Sequence, residues 1–104
     1  AAAGGGFNIT GSSFRDLATG NAGSYDNINI NPTAAIRGGI VSACDHHLFA
    51  DANAPNYCVN IASANMNDAV LGPFTYGYTT PATKTFQTAA ISDSGTGTKQ
   101  VTVA

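Results

Sequence analysis

The chain has no tryptophan, no glutamate and very little charge of either sign. Its 104 residues include four basic and six acidic side chains, and charged residues make up 10% of the sequence, against about 25% in an average soluble domain. Four scattered cations with a net charge of −2 provide no basic stripe for a phosphate backbone, so we do not expect nucleic-acid binding. An apolar run of about 18 residues, the length that spans a membrane, is also missing.

The polarity of the chain comes instead from asparagine, threonine, serine and glycine, which favour turns and strands. A surface of small neutral side chains is typical of an extracellular protein, or of a subunit packed among many neighbours, because few charges would have to be desolvated. The length predicts a single domain. We expect residues 1–6, a run of alanine and glycine, to be a flexible lead and residues 7–104 to form one globular β domain.

Two cysteines, Cys44 and Cys58, bear on the cellular compartment. An even pair in a small chain predicts one disulfide in an oxidising compartment, whereas two free buried thiols are the alternative in a reducing one. The segment between them is rich in asparagine, aspartate and proline, which favours the disulfide as a tie. The small residues at the start resemble the mature side of a signal-peptidase cut, although a trimmed chain would look the same. Together these features predict an exported protein.

Alternation of apolar and polar residues predicts a mainly β fold. A helix start signal at Asn31-Pro32 predicts a short helix after it, or alternatively a strand that begins at Gly39. The last three predicted strands are joined by short loops, which predicts a small antiparallel meander. No internal repeat of about 20–50 residues is apparent. Short strands are expected at residues 7–14, 25–30, 57–62, 74–79, 84–91 and 98–103.

The densest group of chemically versatile side chains lies in a predicted loop between the cysteines and consists of Asp45, His46, His47 and Asp51. Imidazole and carboxylate groups could bind zinc, copper or nickel, or act as an acid–base pair. A solvated loop explains the same residues without a ligand, and neighbouring histidines on a strand would point to opposite faces. No G-x-S-x-G elbow accompanies the histidines. We therefore expect no enzyme activity, no metal and no cofactor.

The stretch FTYGYTTPATKTFQTAAISDSGTGTKQVTV, residues 74–103, resembles the final strands of type IV pilin headgroups. In those domains a C-terminal meander covers a long N-terminal helix, and a disulfide often ties down a loop. The chain lacks the long apolar segment and early glutamate with which a normal pilin begins. In this respect it is similar to the globular chain of the split pilins of the Geobacter type, the geopilin domain 2 family, in which a short helical chain is made separately.

The resemblance implies a mainly β headgroup with a disulfide-bracketed loop between Cys44 and Cys58, and an α+β unit once its helical partner is counted. It implies a structural subunit of an extracellular type IV pilus-like filament, with a role in secretion or attachment. Such a subunit passes through the periplasm, then packs without covalent bonds on a short helical pilin chain and on neighbouring copies of itself. A meander without its own helix leaves an apolar face open. The expected partner-helix interface consists of Ile28, Ile30, Val59, Ile61, Phe74, Tyr76, Tyr78, Val101 and Val103.

Two other functions stay open. A phage decoration or virion surface protein would share the small β fold and the low charge, without a need for export or a disulfide. A secreted carbohydrate-binding module would use aromatic rings as a stacking platform, although core and inter-subunit packing would explain the same rings. The tyrosines concerned are Tyr25, Tyr57, Tyr76 and Tyr78.

Overall fold

A computed structural model of the chain describes residues 6–16 and 20–101. Within them the chain forms twelve short strands and a 3-10 turn over Asp51–Asn53, and no α-helix. In chain order the strands are β1 (Asn8–Thr10), β2 (Ser13–Arg15), β3 (Ile28–Ile30), β4 (Ile36–Arg37), β5 (Ile40–Ser42), β6 (Cys44–Leu48), β7 (Val59–Ile61), β8 (Met66–Asn67), β9 (Val70–Leu71), β10 (Phe74–Tyr78), β11 (Ile91–Asp93) and β12 (Lys99–Gln100).

The strands pair in parallel, and the strands of each sheet come from successive circuits of the chain. Sheet 1 has the order β1-β5-β9-β12, sheet 2 has β2-β6-β10, sheet 3 has β3-β7-β11, and sheet 4 pairs β4 with β8. The chain therefore winds as a β-solenoid, because it passes through the four sheets in turn and then starts again one layer further on. We call residues 8–37 coil 1, residues 40–67 coil 2 and residues 70–96 coil 3.

The register of the strands gives the length of a coil. Asn8 pairs with Ile40 and Ile40 pairs with Val70, so successive coils are 32 and 30 residues apart in sheet 1. The remaining pairs are 29–32 residues apart. Paired strands lie about 4.8 Å from each other, so the shortest extent of the molecule, 18 Å, fits a stack of three to four layers.

The interior of the solenoid consists of columns of side chains, with one residue from each coil. β6 shows the alternation most fully, since Cys44, His46 and Leu48 are buried while the two residues between them are half-buried on the outer face. Burying an aliphatic side chain contributes about 1.5–3 kcal/mol, so the columns are the main source of stability. Coil 2 has a neighbour on both sides and is the best covered; its fully buried side chains include Val41, Val59, Ile61 and Met66.

Amide and hydroxyl side chains between the strands tie each coil to the next. Nδ2 of Asn65 donates to the carbonyl of Pro32 at 3.2 Å, and Oγ1 of Thr96 donates to the carbonyl of Ala64 at 3.1 Å. Each bond joins residues one coil apart. The asparagine and threonine of this sequence are therefore used for bonds between layers, each of which contributes about 1 kcal/mol.

The corner between sheets 1 and 2 is built in the same way in each coil. Gly11 (φ 67°), Ala43 (φ 53°) and Gly72 (φ 97°) occupy this corner, and all three have left-handed backbone. The conformation turns the chain within one or two residues. Glycine adopts it freely, whereas it costs an alanine about 1–2 kcal/mol.

The expected antiparallel meander is wrong. The strands predicted at residues 74–79 and 98–103 correspond to β10 and β12, but these lie in different sheets and pair in parallel with earlier coils. The predicted strand at 84–91 is irregular up to Ile91, where β11 begins. Type IV pilin headgroups have antiparallel sheets, so the headgroup fold is wrong as well. Alternation within a strand predicts which residues share a face, but it carries no information on strand direction.

Two further expectations fail for related reasons. The short helix expected after Asn31-Pro32 is replaced by β4 and β5, because Ile36 and Val41 belong to interior columns that a helix could not supply. The alternative, a strand from Gly39, corresponds to β5. The loop expected after Cys44 contains β6, the central strand of sheet 2. The chain also carries an internal repeat, contrary to expectation. Successive coils share apolar character in each column rather than identical residues, so the repeat does not stand out in the sequence.

The expected disulfide is wrong too, because Cys44 and Cys58 are free, buried thiols. The Cys44 thiol donates to the carbonyl of Ser42 at 3.3 Å. Burial raises the pKa of the Cys58 thiol to about 11, so this group stays protonated at neutral pH. Both cysteines act here as small apolar side chains, and the stacking of coils holds the segment between them.

Candidate functional site

The N-terminal end of the coil stack exposes strand edges. Among the described residues, β1, β2 and β3 are each the outermost strand of their sheet at this end, and β4 is the outermost strand of sheet 4. An outermost strand keeps a row of N–H and C=O groups without a strand partner on one side. The four edges follow one another around coil 1, so together they frame one end face.

An open apolar groove of about 400 Å³ occupies the same end face. Its apolar lining comes from the inward-facing side chains of coil 1, which lie at the open end of the columns. Phe7, Ile9 and Ile36 are only partly covered, whereas Ile28 and Ile30 are buried but keep 9% and 8% exposure, against 0% for Val59 and Ile61 in coil 2. We call this feature the N-terminal groove, and it is lined chiefly by Phe7, Ile9, Ile28, Ile30, Pro32 and Ile36.

The C-terminal end of the stack is aromatic instead. Phe74 and Tyr76 of β10 have ring centroids 6.0 Å apart, and Tyr76 meets Phe86 edge-on at 5.2 Å. Burial raises the pKa of the Tyr76 hydroxyl, and repulsion from Cys58, once that group is ionised, raises it further. The rings close part of the interior at this end, although Tyr76 keeps 38% of its surface exposed.

Two polar residues stand at the C-terminal end of otherwise apolar columns. Gln100 of β12 pairs with Leu71, and Asp93 of β11 pairs with Ile61. The Asp93 carboxylate accepts a hydrogen bond from the N–H of Gly95 at 2.8 Å. A charge or amide at an inward position discourages the addition of another strand. The C-terminal end is therefore partly guarded, whereas the columns at the N-terminal groove end in apolar side chains.

His46 lies inside coil 2, where it is 2% exposed and stacks on Phe86 with ring centroids 4.4 Å apart. Its Nδ1 accepts a hydrogen bond from Nδ2 of Asn27 at 2.9 Å, and its Nε2 donates to the carbonyl of Thr85 at 2.9 Å. These partners fit the neutral ring with its proton on Nε2. Burial lowers the pKa of His46, so the ring is a neutral part of the interior at neutral pH.

The predicted histidine cluster does not come together. His46 points into the interior, whereas the next residue, His47, points outward, hydrogen-bonds the hydroxyl of Thr79 and packs on Phe49 with ring centroids 4.8 Å apart. Strand alternation separates the two rings, because both residues belong to β6. Over residues 6–16 and 20–101, no group of three histidine, cysteine or acidic side chains is placed to hold a metal ion.

The two aspartates of the predicted cluster stabilise neighbouring segments instead. Asp45 makes a half-exposed ion pair with Arg15 at 3.2 Å, one coil away, which contributes little in water. Asp51 accepts hydrogen bonds from the hydroxyl of Thr83 at 2.6 Å and from its N–H at 2.8 Å. These bonds lower the pKa of Asp51. Both carboxylates therefore connect consecutive coils.

The residues expected to face a partner helix are distributed over the molecule rather than gathered on one face. Phe74 packs against the interior, while Tyr76, Tyr78 and Val101 keep exposed surface at the C-terminal end. Val103 lies outside the described residues. A helical partner stays a prediction. The other four expected residues lie in the solenoid interior and are Ile28, Ile30, Val59 and Ile61.

Sequence reasoning missed both end faces, including Phe7, Ile9 and Ile36 of the N-terminal groove. The signal that could have found them is the recurrence of apolar residues at the spacing of one coil. Sheet 1 shows it clearly, since Ile9 pairs with Val41 and Val41 pairs with Leu71. A search for apolar character at a period near 30 residues would have predicted the coils.

The described part of the chain offers no helix that could span a membrane. Comparison with protein-family models, with curated proteins and with solved structures finds no match for this chain.

Proposed function

We propose that the chain is a structural subunit whose copies stack end to end, coil on coil, into an elongated assembly. The observation that carries the proposal is the N-terminal end face, where four open strand edges surround the N-terminal groove. Open strand edges are templates for pairing with another chain, and an exposed apolar patch of this kind marks an interaction surface. Both features call for the same partner, a further layer of parallel strands.

The C-terminal end of a second copy offers such a layer. Stacked in the register that relates coils within the chain, Phe14 would lie on Tyr76 of the next copy and Ile28 on Ile91. Arg15 would lie on Gly77, so the pairing places no like charges against each other. The two faces differ, and a head-to-tail contact of this type continues from copy to copy.

The proposal keeps one part of the expectation drawn from the sequence, a structural subunit of an extracellular filament that contacts copies of itself. The headgroup packed on a long pilin helix is not carried forward, because it depended on an antiparallel sheet. An extracellular location is supported by the low charge and the small polar side chains of the chain.

Proline at position 8 tests the proposal with little disturbance of the fold. The N–H of Ile40 donates to the carbonyl of Phe7 at 2.8 Å, and in a parallel ladder this leaves the N–H of Asn8 on the open edge. Asn8→Pro therefore removes an edge donor while it keeps the bonds between β1 and β5. We expect wild type to show a sedimentation coefficient that rises with concentration, and Asn8→Pro to sediment as a monomer.

Asn8→Ala is the matched control, because it removes the same side chain but keeps the backbone N–H. It should assemble as wild type does, and circular dichroism should show the same strand content in all three proteins. Wild type that stays monomeric at every concentration reached would rule out end-to-end stacking. Assembly of Asn8→Pro at the wild-type level would show that the contact lies elsewhere.

A further inference from the structure

We propose that β12 is a built-in cap, which occupies the place where β1 of a second copy would bind and must leave before copies can stack. This inference rests on the proposed function, and it identifies the partner as the N-terminal coil of another copy. It also assigns a regulatory role to a strand that contributes little to the interior. The reason is geometrical and lies in the layers of sheet 1.

Sheet 1 is one strand deeper than its neighbours at the C-terminal end. It contains β12 beyond β9, whereas β10 and β11 are the last described strands of sheets 2 and 3. In an arriving copy, β1 ends at Thr10 and β2 begins at Ser13. The two residues between these strands are enough to turn the corner from sheet 1 to sheet 2 but too few to reach the next layer as well. β1 and β2 of the arriving copy must therefore lie in the same layer. If β2 pairs with β10, then β1 must pair with β9, where β12 already lies.

β12 uses the backbone acceptors that the arriving strand would need. The N–H of Lys99 donates to the carbonyl of Ala69 at 2.8 Å, and the N–H of Val101 donates to the carbonyl of Leu71 at 2.7 Å. In the register of coil on coil, the open-edge N–H groups of Asn8 and Thr10 of a second copy fall on these two carbonyls. The two strands therefore compete for one set of hydrogen bonds.

The side chains favour the incoming strand over β12. Gln100 places an amide on Leu71, in a column that Ile9 and Val41 make apolar in the coils before it. Ile9 of a second copy would restore the apolar column at the same position. β12 has only two residues, both exposed, and Val101 after it is 46% exposed. What keeps β12 in place is its attachment to the same chain, which gives it a high effective concentration.

Val101 provides a way to release β12 in the full-length chain. Its N–H donates to the carbonyl of Leu71 at 2.7 Å, and proline has no N–H to donate. Val101→Pro should therefore loosen β12 while β9 and coil 1, which form the proposed contact, stay unchanged. Val101→Ala is the matched control, because it shortens the same exposed side chain but keeps the backbone N–H.

Gln100→Ile acts in the opposite direction. It completes the apolar column above Leu71, so it should hold β12 more firmly. We expect Val101→Pro to raise the rate of assembly about fivefold, through loss of one backbone hydrogen bond of β12, Val101→Ala to leave it near wild type, and Gln100→Ile to lower it several-fold. Light scattering at one fixed concentration measures all three rates. Equal rates in wild type, Val101→Pro and Gln100→Ile would overturn the role of β12.

Cysteine cross-linking reports directly which strand the arriving β1 meets. In the proposed contact Asn8 of one copy faces Val70 of the next, so an equal mixture of Asn8→Cys and Val70→Cys chains should give a covalent heterodimer on mild oxidation. If β12 stayed in place, Asn8 would face Lys99 instead. Within one chain, positions 8 and 70 are two layers apart, about 9.6 Å, which is too far for a disulfide. The wild-type chain, with its buried Cys44 and Cys58, is the blank.

The outcomes separate the two proposals. A heterodimer through Val70→Cys that forms faster in the Val101→Pro background supports both. A heterodimer of Asn8→Cys chains with Lys99→Cys chains, and none with Val70→Cys, overturns the capping role and keeps end-to-end stacking. No heterodimer in either mixture, even in the Val101→Pro background, overturns the stacking itself.

Discussion

At the scale of the residue, His46 makes the stability of the solenoid depend on pH. Burial lowers the pKa of His46 below the ordinary 6.5 in the folded protein, so as pH falls through 6.5 the unfolded chain takes up the proton first. The free energy of unfolding should therefore decrease on acidification, by at most about 1.4 kcal/mol per pH unit, until the folded-state pKa is reached. Urea unfolding at about pH 7.5 and at about pH 5 measures the change.

His46→Gln should flatten this part of the pH profile. An amide can bond to Asn27 and to the carbonyl of Thr85 but does not titrate. The variant should be less stable than wild type at neutral pH, because it loses the stacking on Phe86. His47→Gln, a change at the outward-facing neighbour, should keep the wild-type slope. A slope that persists in His46→Gln would assign the titration to another group.

Single residues were predictable from the sequence where alternation is regular. Ile28 and Ile30 were expected on one face of a strand, and they lie on one face of β3 with a polar residue between them. His46 was not predictable in the same way, because a histidine pair beside two aspartates suggests a solvated loop. Its burial depends on Asn27 and Thr85, which lie 19 and 39 positions away in the chain. Local sequence does not contain such partners.

At the scale of the element, the corner between sheets 1 and 2 shows where the chain is strained. The equivalent corners of coils 1 and 3 use glycine, whereas coil 2 has Ala43 with φ 53°. Ala43→Gly should remove the left-handed strain and raise the free energy of unfolding by about 1 kcal/mol, after allowance for the larger freedom of glycine in the unfolded chain. The midpoint of urea unfolding would report the gain.

Ala62→Gly provides the comparison for this substitution. Ala62 is exposed and does not have left-handed backbone, so glycine there brings the entropic cost without relief of strain. We expect a loss of about 0.5–1 kcal/mol. A loss of similar size in Ala43→Gly would mean that the corner stores no strain in solution.

The direction of the strands could not be predicted at this scale. The alternation that predicted strands near β3, β7 and β10 holds for parallel and antiparallel pairing alike. Direction is set by what each strand meets about 30 residues away, and the short connections near β12 suggested hairpins instead. Asn31-Pro32, considered without the rest of the fold, is a normal helix start signal. It is overridden because Ile36 and Met66 have to occupy neighbouring layers of sheet 4.

At the scale of the whole molecule, the candidate site has no counterpart in the linear sequence. An end face exists only once the coils have stacked. Its residues occupy positions that the next coil covers in the middle of the stack and that are left uncovered in the first and last layers. Phe7 and Ile36 are ordinary apolar residues in the sequence, and they form a groove because no described coil lies beyond them. The low charge of the chain was the one global feature that pointed to packing among neighbours.

Stability should therefore vary from layer to layer along the solenoid axis, and hydrogen exchange can measure it. In a stack where each coil contacts only its neighbours, local opening is easiest at the ends. In the monomer we expect the amides of β6 and β7 in coil 2 to exchange most slowly, and those of β2 and β3 in coil 1 to exchange much faster. If copies stack as proposed, assembly should slow exchange in coil 1 and in coil 3 and leave coil 2 nearly unchanged, because the two end coils gain a new neighbour whereas coil 2 already has one on each side. If coil 1 of the Asn8→Pro monomer exchanged as slowly as coil 2, this gradient would be contradicted. The N-terminal end would then be as well protected as the middle of the stack and would not be an open face.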